Sequence, residues 1–475
     1  MAERDFSQYL LYRWRYVIGY SAIGVLLAGL LLFAGLYLPG GISAQEMESV
    51  VKSSSLSLSD TSTLAITNLP YYAFQKALFA VFGVSIFTIK LPSLLLALVS
   101  ALGLIMLLRR WFKPNIAVLA SLIAVSTGQF LFIAQSGTPS ILYVFWPIVL
   151  LLLGTQITRV KKLRFLWKVV FMVAAGLSLY TPLAIYPLVA ILIAIALHPH
   201  LRNAVRRLSN LRLTVVSMIF LAVIAPLVYL IISSPSLVIT LLGLPTVWPI
   251  DFIENAKLLL TQYFMFWSPS VTYILTPIFG LGSVLLIGLG TYRLIRTRET
   301  TRSYLVIAWL LCLSPILLLN PSYTSVMFVP SILLLAAGLT SLIGYWYRLF
   351  PLNPYARIAG LIPITLLVGA LILTGLSRYA YSYHYNPEAV SLYSRDSALI
   401  PSGTTEIIVG NGEKAFYTAL SNYKDFTVVT APSSDTFTTS RQAHALYEGY
   451  EITEIVTDSR RENADRFYVY ERVQQ

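Results

Sequence analysis

The sequence predicts an α-helical polytopic membrane protein of about eleven transmembrane helices with a small C-terminal extracytoplasmic α/β domain. Of its 475 residues, 57% are hydrophobic and only 12% are charged, and the apolar residues form runs long enough to cross a bilayer. From about residue 377 the charges become frequent and the runs shorten. We therefore expect a membrane domain at residues 1–376, with outer loops at 39–88 and 233–270, and a second domain at residues 377–475.

The apolar runs predict the individual spans. The first, at residues 17–38, is longer than the hydrophobic part of a cleavable signal peptide, typically about 7 to 15 residues, and is expected to remain as a helix. The short runs 165–180 and 183–197 predict either a hairpin of two short spans or a re-entrant loop. The other runs are 89–108, 116–133, 141–157, 213–232, 271–294, 304–319, 325–346 and 358–376.

Lys and Arg residues predict the orientation. Basic clusters at residues 4–15, 109–113, 159–164, 202–212, 293–302 and 348–357 all fall on the N-terminal side of the predicted spans, and such clusters favour the cytoplasm. The N-terminus is therefore expected inside the cell, and the long loops and the C-terminal domain outside the plasma membrane. This distribution also argues against a nucleic-acid partner, despite the net charge of +13, because the cations do not share one soluble surface.

Regions outside the spans carry their own patterns. Residues 69–82 and 252–264, one in each long outer loop, have the apolar and aromatic content of helices that lie in the membrane interface. In the C-terminal domain the pattern predicts strands at 405–409, 426–430, 452–456 and 466–473, and helices at 413–422 and 441–448. These elements make up the expected α/β domain.

Acidic residues are scarce before the C-terminal domain. Between Asp5 and Glu299 the carboxylates are Glu46, Glu48 and Asp60 in the first outer loop and Asp251 and Glu254 in the second. If the protein performs acid–base chemistry, the first loop is the expected place for it. A solvated first turn of a helix that begins after Ser43 explains Glu46 and Glu48 equally well, because acids are favourable at a helix N-terminus. Spacing alone does not separate these two interpretations.

The first outer loop and second span carry the motifs LPGGISAQEMESV, NLPYYAFQKALFAVFG and IFTIKLPSLLLALVSALGLIMLLRRWF. In their order, these motifs resemble the GT-C membrane glycosyltransferases of the protein mannosyltransferase and lipid A aminoarabinose transferase type. Further along, AAGLSLYTPLAIYPLVAILIAIAL is similar to the family's paired short helices, and NPSYTSVMFVPSILLLAAGL is similar to a late span. The resemblance covers about the first 345 residues and implies the GT-C fold.

The sequence departs from the family pattern at several polar positions. Gln45 precedes Glu46 where the family has an Asp-Glu pair, and Lys90 replaces an Arg, which keeps the charge but loses the guanidinium fork suited to phosphate. The segment that ends at Thr138 lacks the family's Arg and Asp, and Ser322 stands where the late span has Arg. These departures bear on whether the chain is catalytic.

The resemblance implies transfer of a hexose or pentose from a polyprenyl-phosphate donor to a glycan, lipid or protein acceptor. It also implies membrane lipids as partners of the protein. Glu46 is then the base that deprotonates the acceptor hydroxyl. Glu48 and Asp60 support it, as neighbouring carboxylates or as ligands of a divalent cation. The substrate-binding candidates are Lys90 and Lys76 for the phosphate, Tyr71 and Tyr72 for the lipid groove, and Asp251 and Glu254 in the second loop.

Other interpretations remain open at this point. Lys90 and Lys76 are also typical of lysines that reach from a span to the interface, and Tyr71 and Tyr72 of interfacial aromatics. An alternative function is a catalytically inactive GT-C relative that acts as a membrane-anchored lipid-glycan binding or scaffold protein. A lipid flippase shares the topology, but it needs a polar path through the spans that the sequence does not indicate.

Overall fold

A computed structural model describes most of the chain. The described residues are 14, 17, 20, 21, 23–25, 27–29, 41–57, 59–159, 164–206, 210–266, 278–350, 354–385, 391–458 and 465–473. The predicted first helix at residues 17–38 and the basic cluster at 4–15 therefore lie largely outside them. Within the chain, residues 1–32, 95–134 and 140–379 form one compact unit, the helical unit. Residues 33–94, 135–139 and 380–475 form a second, the sheet unit.

Helices account for most of the described structure. Numbered in chain order, they are α1 (Ala44–Ser55), α2 (Leu69–Phe82), α3 (Ile86–Trp111), α4 (Pro114–Ser126), α5 (Gly128–Gln135), α6 (Leu142–Arg159), α7 (Arg164–Ser178), α8 (Ile185–Leu197), α9 (Pro199–Arg206), α10 (Asn210–Ser233), α11 (Ser236–Leu241), α12 (Phe252–Phe264), α13 (Leu281–Arg296), α14 (Thr301–Leu319), α15 (Phe328–Leu349), α16 (Pro354–Tyr385) and α17 (Lys414–Leu420).

The polytopic helical architecture predicted from the apolar runs is confirmed. Among the described residues, six helices are long and apolar enough to cross a membrane, or seven if α4 and α5 together form one bent span. Each predicted run after the first overlaps with a helix, although residues 271–277 lie outside the described residues. Helices α7 and α8 are shorter than these spans, so the choice between a short hairpin and a re-entrant loop stays open, as does the count of eleven.

A break interrupts the predicted span at residues 116–133. Helices α4 and α5 meet at 58°, and Thr127 between them is extended, with φ −63° and ψ 135°. The Thr127 hydroxyl donates a hydrogen bond of 2.7 Å to the Ala124 carbonyl, which satisfies one acceptor at the end of α4. The break therefore leaves the first turn of α5 with backbone N–H groups that have no helical partner.

The sheet unit contains a five-stranded sheet of order β2-β1-β3-β5-β4. Strand β1 pairs in parallel with β2 and β3, while β5 pairs antiparallel with β3 and β4. This mixed sheet with helix α17 confirms the α/β character predicted for the C-terminal region. The strands are β1 (Glu406–Ile408), β2 (Thr427–Val429), β3 (Thr436–Ser440), β4 (Tyr450–Thr457) and β5 (Arg466–Arg472).

One predicted element of this region is wrong and one is missing from the prediction. Residues 441–448 form a turn and an extended segment rather than a helix. The rings of Tyr447 and Tyr450 both pack edge-on against Phe437, at 5.1 and 4.9 Å between centroids, and these tertiary contacts override local helix preference. The β3 sequence TFTTS was not predicted as a strand, although β-branched Thr favours strands.

The predicted first outer loop and the C-terminal region share one hydrophobic core. Val50 of α1, Phe79 of α2 and Ile89 of α3 are buried in the same cluster as Phe416 of α17 and Phe467 of β5. The chain just before α1 also joins the C-terminal region, through a 2.7 Å hydrogen bond from the Ile42 amide to the Arg395 carbonyl. The predicted division after residue 376 stays a prediction, and the predicted first outer loop packs with the sheet.

Candidate functional site

Glu46 occupies the first turn of α1, as one of the two interpretations of the sequence expected, but it is buried rather than solvated. Ser43 caps the helix: its hydroxyl accepts from the Glu46 amide at 3.2 Å, and the Ser43 amide donates to Glu46 Oε2 at 2.8 Å. This reciprocal capping box satisfies two backbone donors and fixes the carboxylate over the start of the helix. One oxygen of Glu46 is thereby committed to local structure.

The other Glu46 oxygen reaches a distant segment of the chain. Its Oε1 accepts a hydrogen bond of 2.7 Å from the Gly137 amide, 91 residues away in sequence. A Cβ at position 137 would lie 2.8 Å from the Ile89 carbonyl oxygen, so only glycine allows this close approach. Gly137 therefore delivers a backbone donor to the carboxylate without adding a side chain.

Lys90, near the start of α3, is the cation beside Glu46. Its Nζ lies 3.9 Å from Glu46 Oε1 and donates to the Gly41 carbonyl at 3.1 Å. It also lies 5.6 Å from the centre of the Tyr393 ring. Both charged side chains are 0% exposed. Since a buried charge without its partner is costly, the two residues stabilise each other in this position.

A second polar network lies in the same unit. Gln75 Oε1 accepts from the hydroxyls of Ser49 at 2.9 Å and Ser53 at 2.5 Å, and its amide donates to the Ile89 carbonyl at 3.0 Å. These bonds join α1 and α2 to the start of α3. Sequence reasoning missed Gln75 and Gly137 because their partners are remote in the chain. The available signal was a glutamine within a predicted interfacial helix.

Tyr71 and Tyr72 are buried in the sheet unit, with their rings 5.8 Å apart in an edge-to-face arrangement. The Tyr71 hydroxyl lies 2.8 Å from that of Ser93, which in turn donates to the Thr138 carbonyl at 3.1 Å. Burial raises the pKa of both phenols well above the usual range, so both remain neutral donors. Their predicted role in a lipid groove stays a prediction, because both rings are enclosed here.

Glu48 and Asp60 have partners of their own. Glu48 forms a 2.6 Å pair with Lys52 one helical turn later, and its side chain is 62% exposed. Asp60 caps the short 3-10 helix at Thr61–Leu64 by accepting from the Ser62 amide and hydroxyl, and these bonds lower its pKa. Their predicted role as supports for Glu46 stays a prediction, since each of them bonds to other residues.

The remaining predicted residues lie elsewhere. Lys76 donates to the Leu56 carbonyl within the sheet unit. Asp251 and Glu254 belong to the helical unit, where Asp251 caps α12 by accepting from the amides of Ile253 at 2.9 Å and Glu254 at 3.0 Å. Their assignment to substrate binding remains a prediction.

The positions that depart from the family pattern are all described. Gln45 is exposed, so it does not join the buried pair beside it. Thr138 is buried, with its hydroxyl 3.0 Å from that of Ser136. Ser322 belongs to the helical unit and donates to the Asn320 side chain. None of the three supplies a charge in place of the family's residue.

A second buried charge cluster was not predicted. Arg395 Nη2 lies 2.7 Å from Glu413 Oε1, and its Nη1 lies 3.6 Å from Asp465 Oδ1. Burial raises the pKa of both carboxyls, and Arg395 opposes that shift. Because the Arg395 carbonyl also accepts the Ile42 amide, the cluster holds the chain that leads into α1.

No group of three or more His, Cys, Asp or Glu side chains within the described ranges is placed to hold a metal ion. Glu46 has backbone donors on both oxygens and Lys90 beside one of them, which leaves it poorly arranged as a cation ligand. A divalent cation therefore remains a prediction from the resemblance alone.

Comparison with known proteins gives matches to both sequence and fold. Residues 69–230 match the family described as dolichyl-phosphate-mannose-protein mannosyltransferase. No curated protein matches the sequence significantly. The crystal structure of ArnT from Cupriavidus metallidurans bound to undecaprenyl phosphate superposes with a TM-score of 0.54 at 12% identity, over 95% of this chain and 98% of that one.

The archaeal oligosaccharyltransferase AglB from Archaeoglobus fulgidus is similar in two solved structures. In complex with an inhibitory peptide and a dolichol-phosphate, it superposes with a TM-score of 0.52 at 12% identity, over 87% of this chain and 64% of that one. Tethered to an acceptor peptide that contains the NVT sequon, the oligosaccharyltransferase gives a TM-score of 0.52 at 10% identity, over 86% of this chain and 63% of that one.

The present chain thus spans less than two thirds of the length of the oligosaccharyltransferase but nearly all of ArnT. At these identities the superpositions speak for the fold, whereas activity is a separate question. The predicted resemblance is confirmed, and the chain has the fold of the GT-C superfamily of membrane glycosyltransferases.

Proposed function

We propose that this chain is a membrane glycosyltransferase that moves a sugar from a polyprenyl-phosphate donor to a glycan, lipid or protein acceptor at the outer face of a plasma membrane. The observation that carries the proposal is the meeting of Glu46 and Lys90, 3.9 Å apart, in a GT-C fold. Sugar transfer needs a base for the acceptor hydroxyl and a cation for the departing phosphate. This pair supplies one of each.

The reaction itself uses both groups. The acceptor oxygen bonds to the anomeric carbon of the sugar while the bond from that carbon to the phosphate oxygen breaks. The acceptor proton passes to Glu46, and polyprenyl phosphate leaves with the bonding electrons, stabilised by Lys90. Similarity to a structure of ArnT bound to undecaprenyl phosphate supports a carrier of this class.

Both side chains are fully buried in the present structure, so the pair has to open before it can act. A donor phosphate offers Lys90 and the Gly137 amide an alternative anion. When Lys90 or the Gly137 amide bonds to the phosphate, Glu46 Oε1 loses that partner. The oxygen is then free to accept a proton. We therefore infer that the described state is a resting state and that donor binding exposes the base.

A second candidate, a catalytically inactive relative that binds lipid-linked glycans or acts as a scaffold, is favoured by one specific observation. Glu46 has a backbone donor on each oxygen and Lys90 alongside, a set of contacts that a purely structural glutamate would also have. Neutral residues at Gln45 and Thr138 agree with this alternative. Binding of donor without transfer distinguishes it from the enzyme.

The test measures sugar release from a radiolabelled polyprenyl-phosphate sugar by the full chain in lipid nanodiscs. We expect Glu46→Gln to reduce release by at least about a hundredfold, the usual effect of losing a general base, while donor binding persists. Glu454→Gln makes the same change at an exposed position of β4 and should leave release unaltered. Donors with hexose and pentose sugars are compared, since the proposal covers both.

Folding of each variant is checked by thermal unfolding, because Glu46 also contributes to the structure through its hydrogen bonds. Glu46→Asp keeps a carboxylate and should retain more release than Glu46→Gln. Release that is equal in Glu46→Gln and the parent chain would place the base elsewhere, with Asp60 the next candidate. Donor binding with no release from the parent chain would favour the inactive relative.

A further inference from the structure

We propose that Arg378 forms a binding site for a phosphate group in a cavity of the helical unit. The cavity is partly open and has about 30 Å³ of free volume, more than the roughly 10–15 Å³ that one water molecule needs. Its polar lining comes from three places: the break between α4 and α5, the start of α13, and the last turns of α16. These residues include Thr127, Gln129, Gly280, Ser283, Thr374 and Arg378.

Arg378 brings an uncompensated positive charge to this cavity. Its Nη2 is buried and has no hydrogen-bond partner among the described residues. None of the lining residues is acidic, and residues 267–277, which precede the cavity-lining Ile278, contain no Asp or Glu. A buried guanidinium N–H without a hydrogen-bond partner is costly unless an anion or water satisfies it. The site therefore favours a negatively charged ligand.

Gln129 is the second unsatisfied group. It is only 7% exposed, lines the same cavity, and its Oε1 has no hydrogen-bond partner in the described part of the chain. The oxygen and nitrogen of a side-chain amide exchange places by a half-turn of the terminal torsion. In that orientation Gln129 presents an N–H donor, rather than an acceptor oxygen without a partner, to an anion beside Arg378.

Backbone donors add to these side chains. Helix α5 begins at Gly128 and α13 at Leu281, and residues at both N-termini line the cavity. Gly280, at the N-cap of α13, provides no side-chain cap for the free amides of the first turn. Helix N-termini bind anions because their N–H groups and dipole favour negative charge. Two such termini and one guanidinium thus surround one cavity.

The packing around the cavity requires particular residues. A Cβ at Gly375 would lie 2.2 Å from the Ser126 carbonyl oxygen, so a glycine there allows α16 to lie against the end of α4. Arg378 follows less than one helical turn later. The close approach thereby brings its guanidinium to the cavity that begins at the break between α4 and α5.

A phosphate is the anion that fits these donors and this location. The guanidinium fork matches two phosphate oxygens, which a lysine ammonium does not. Arg378 lies near the end of the candidate span Ile362–Tyr381, the depth at which a lipid headgroup meets the apolar core. The phosphate could come from a polyprenyl phosphate, from a phospholipid or from solution. A polyprenyl source rests on the proposed function, whereas the phosphate site does not.

The experiment measures equilibrium binding to the full chain, purified and delipidated in a neutral detergent. The probes are undecaprenyl phosphate, phosphatidylglycerol and inorganic phosphate, with uncharged undecaprenol as the control for the lipid tail. Arg378→Gln should weaken binding of at least one phosphate probe tenfold or more, and Arg378→Lys should weaken it less. Arg296→Gln is the control, because it removes an exposed cation at the other end of α13. This variant should bind the phosphate probes as tightly as the parent chain does.

A second variant tests the site independently in case Arg378→Gln does not fold. A Cβ at Gly280 meets no atom within 4 Å, and the backbone there, at φ −65° and ψ 160°, suits any residue. Gly280→Val should fill space at the cavity and block binding without removing a charge. The probe whose binding falls identifies the source of the phosphate.

The proposal would be overturned if neither variant altered the binding of any of the three phosphate probes. It would also be overturned if binding depended only on the lipid tail. The assay contains no sugar donor. An inactive chain that binds phosphate through Arg378 would therefore refute the proposed transfer while upholding this site.

Discussion

The buried charges of the two units differ in one respect. Lys90 in the sheet unit lies beside a carboxylate and donates to a carbonyl, whereas Nη2 of Arg378 in the helical unit has no partner among the described residues. A satisfied charge stabilises the fold and must be released before it can bind a substrate. An unsatisfied charge is ready to bind but is costly until it does so. The two proposals accordingly assign them separate roles, Lys90 in a protected catalytic pair and Arg378 in an open anion site.

The largest effect on stability is expected at Lys90. Lys90→Met leaves Glu46 buried without its cation and should lower the free energy of unfolding by about 3–5 kcal/mol. The double variant Glu46→Gln/Lys90→Met removes both charges and should recover a large part of that loss. Chemical denaturation in detergent measures all three proteins. A loss no larger than about 1 kcal/mol in Lys90→Met would mean that the pair is not a stabilising unit.

Gly137→Ala should have the next largest effect. The added methyl group would meet the Ile89 carbonyl oxygen at 2.8 Å and displace the amide that donates to Glu46. We expect a loss of about 1–3 kcal/mol in the free energy of unfolding, the usual cost of overpacking. Gly154→Ala is the control, because a Cβ there has open space within a helix. Equal stability of the two variants would argue against the close approach at Gly137.

A smaller and pH-dependent effect is expected at Glu406. Hydrogen bonds from the side chains and amides of Ser433 and Ser434 lower its pKa to about 2 from 4.5. A carboxyl with a lowered pKa stabilises the folded state above its unfolded pKa. That contribution disappears as the pH falls from about 4.5 to about 2.

As the pH falls across this range, the free energy of unfolding should therefore decrease less steeply in Glu406→Gln than in the parent chain. Glu454→Gln, at an exposed position of β4, should follow the parent chain. Parallel curves for all three proteins would show that the bonds to Glu406 do not stabilise the sheet unit.

Glu48 should give the smallest effect. Its pair with Lys52 lies one turn apart on the exposed side of α1, and such pairs contribute about 0.3–0.5 kcal/mol. Glu48→Gln should lower the free energy of unfolding by no more than that, and the difference should vanish in 1 M salt. A loss above about 2 kcal/mol would place Glu48 in a more buried network than its exposure indicates.

Much of the fold follows from local sequence patterns. The apolar runs predicted the helical regions because length and hydropathy are properties of a segment, and Ser43 with Glu46 marked the start of α1 for the same reason. Residues 441–448 were misassigned because the packing of Tyr447 on Phe437 depends on the tertiary fold. Local patterns therefore predicted most of the elements, but not those that depend on tertiary packing.

The candidate sites were less accessible to prediction. Glu46 was found because carboxylates are scarce among the apolar runs, and Lys90 because it stands where the resembling family has Arg. The contact from Gly137 comes from 91 residues away. Arg378 was overlooked because it follows the run at residues 358–376, where the predicted second domain begins. Its importance lies in the lack of a partner, which only the surrounding helices reveal.

The measurement that bears most directly on the proposed transferase is the reactivity of Glu46 toward a water-soluble carbodiimide and a small amine, read by peptide mass spectrometry. Without ligand, the buried carboxylate should remain unmodified, while exposed Glu454 is modified. With undecaprenyl phosphate bound, Lys90 should pair with the phosphate and Glu46 should become reactive. Protection of Glu46 in both states, alongside binding of the lipid that persists in Arg378→Gln, would contradict the opening of the pair on which the proposed catalysis depends.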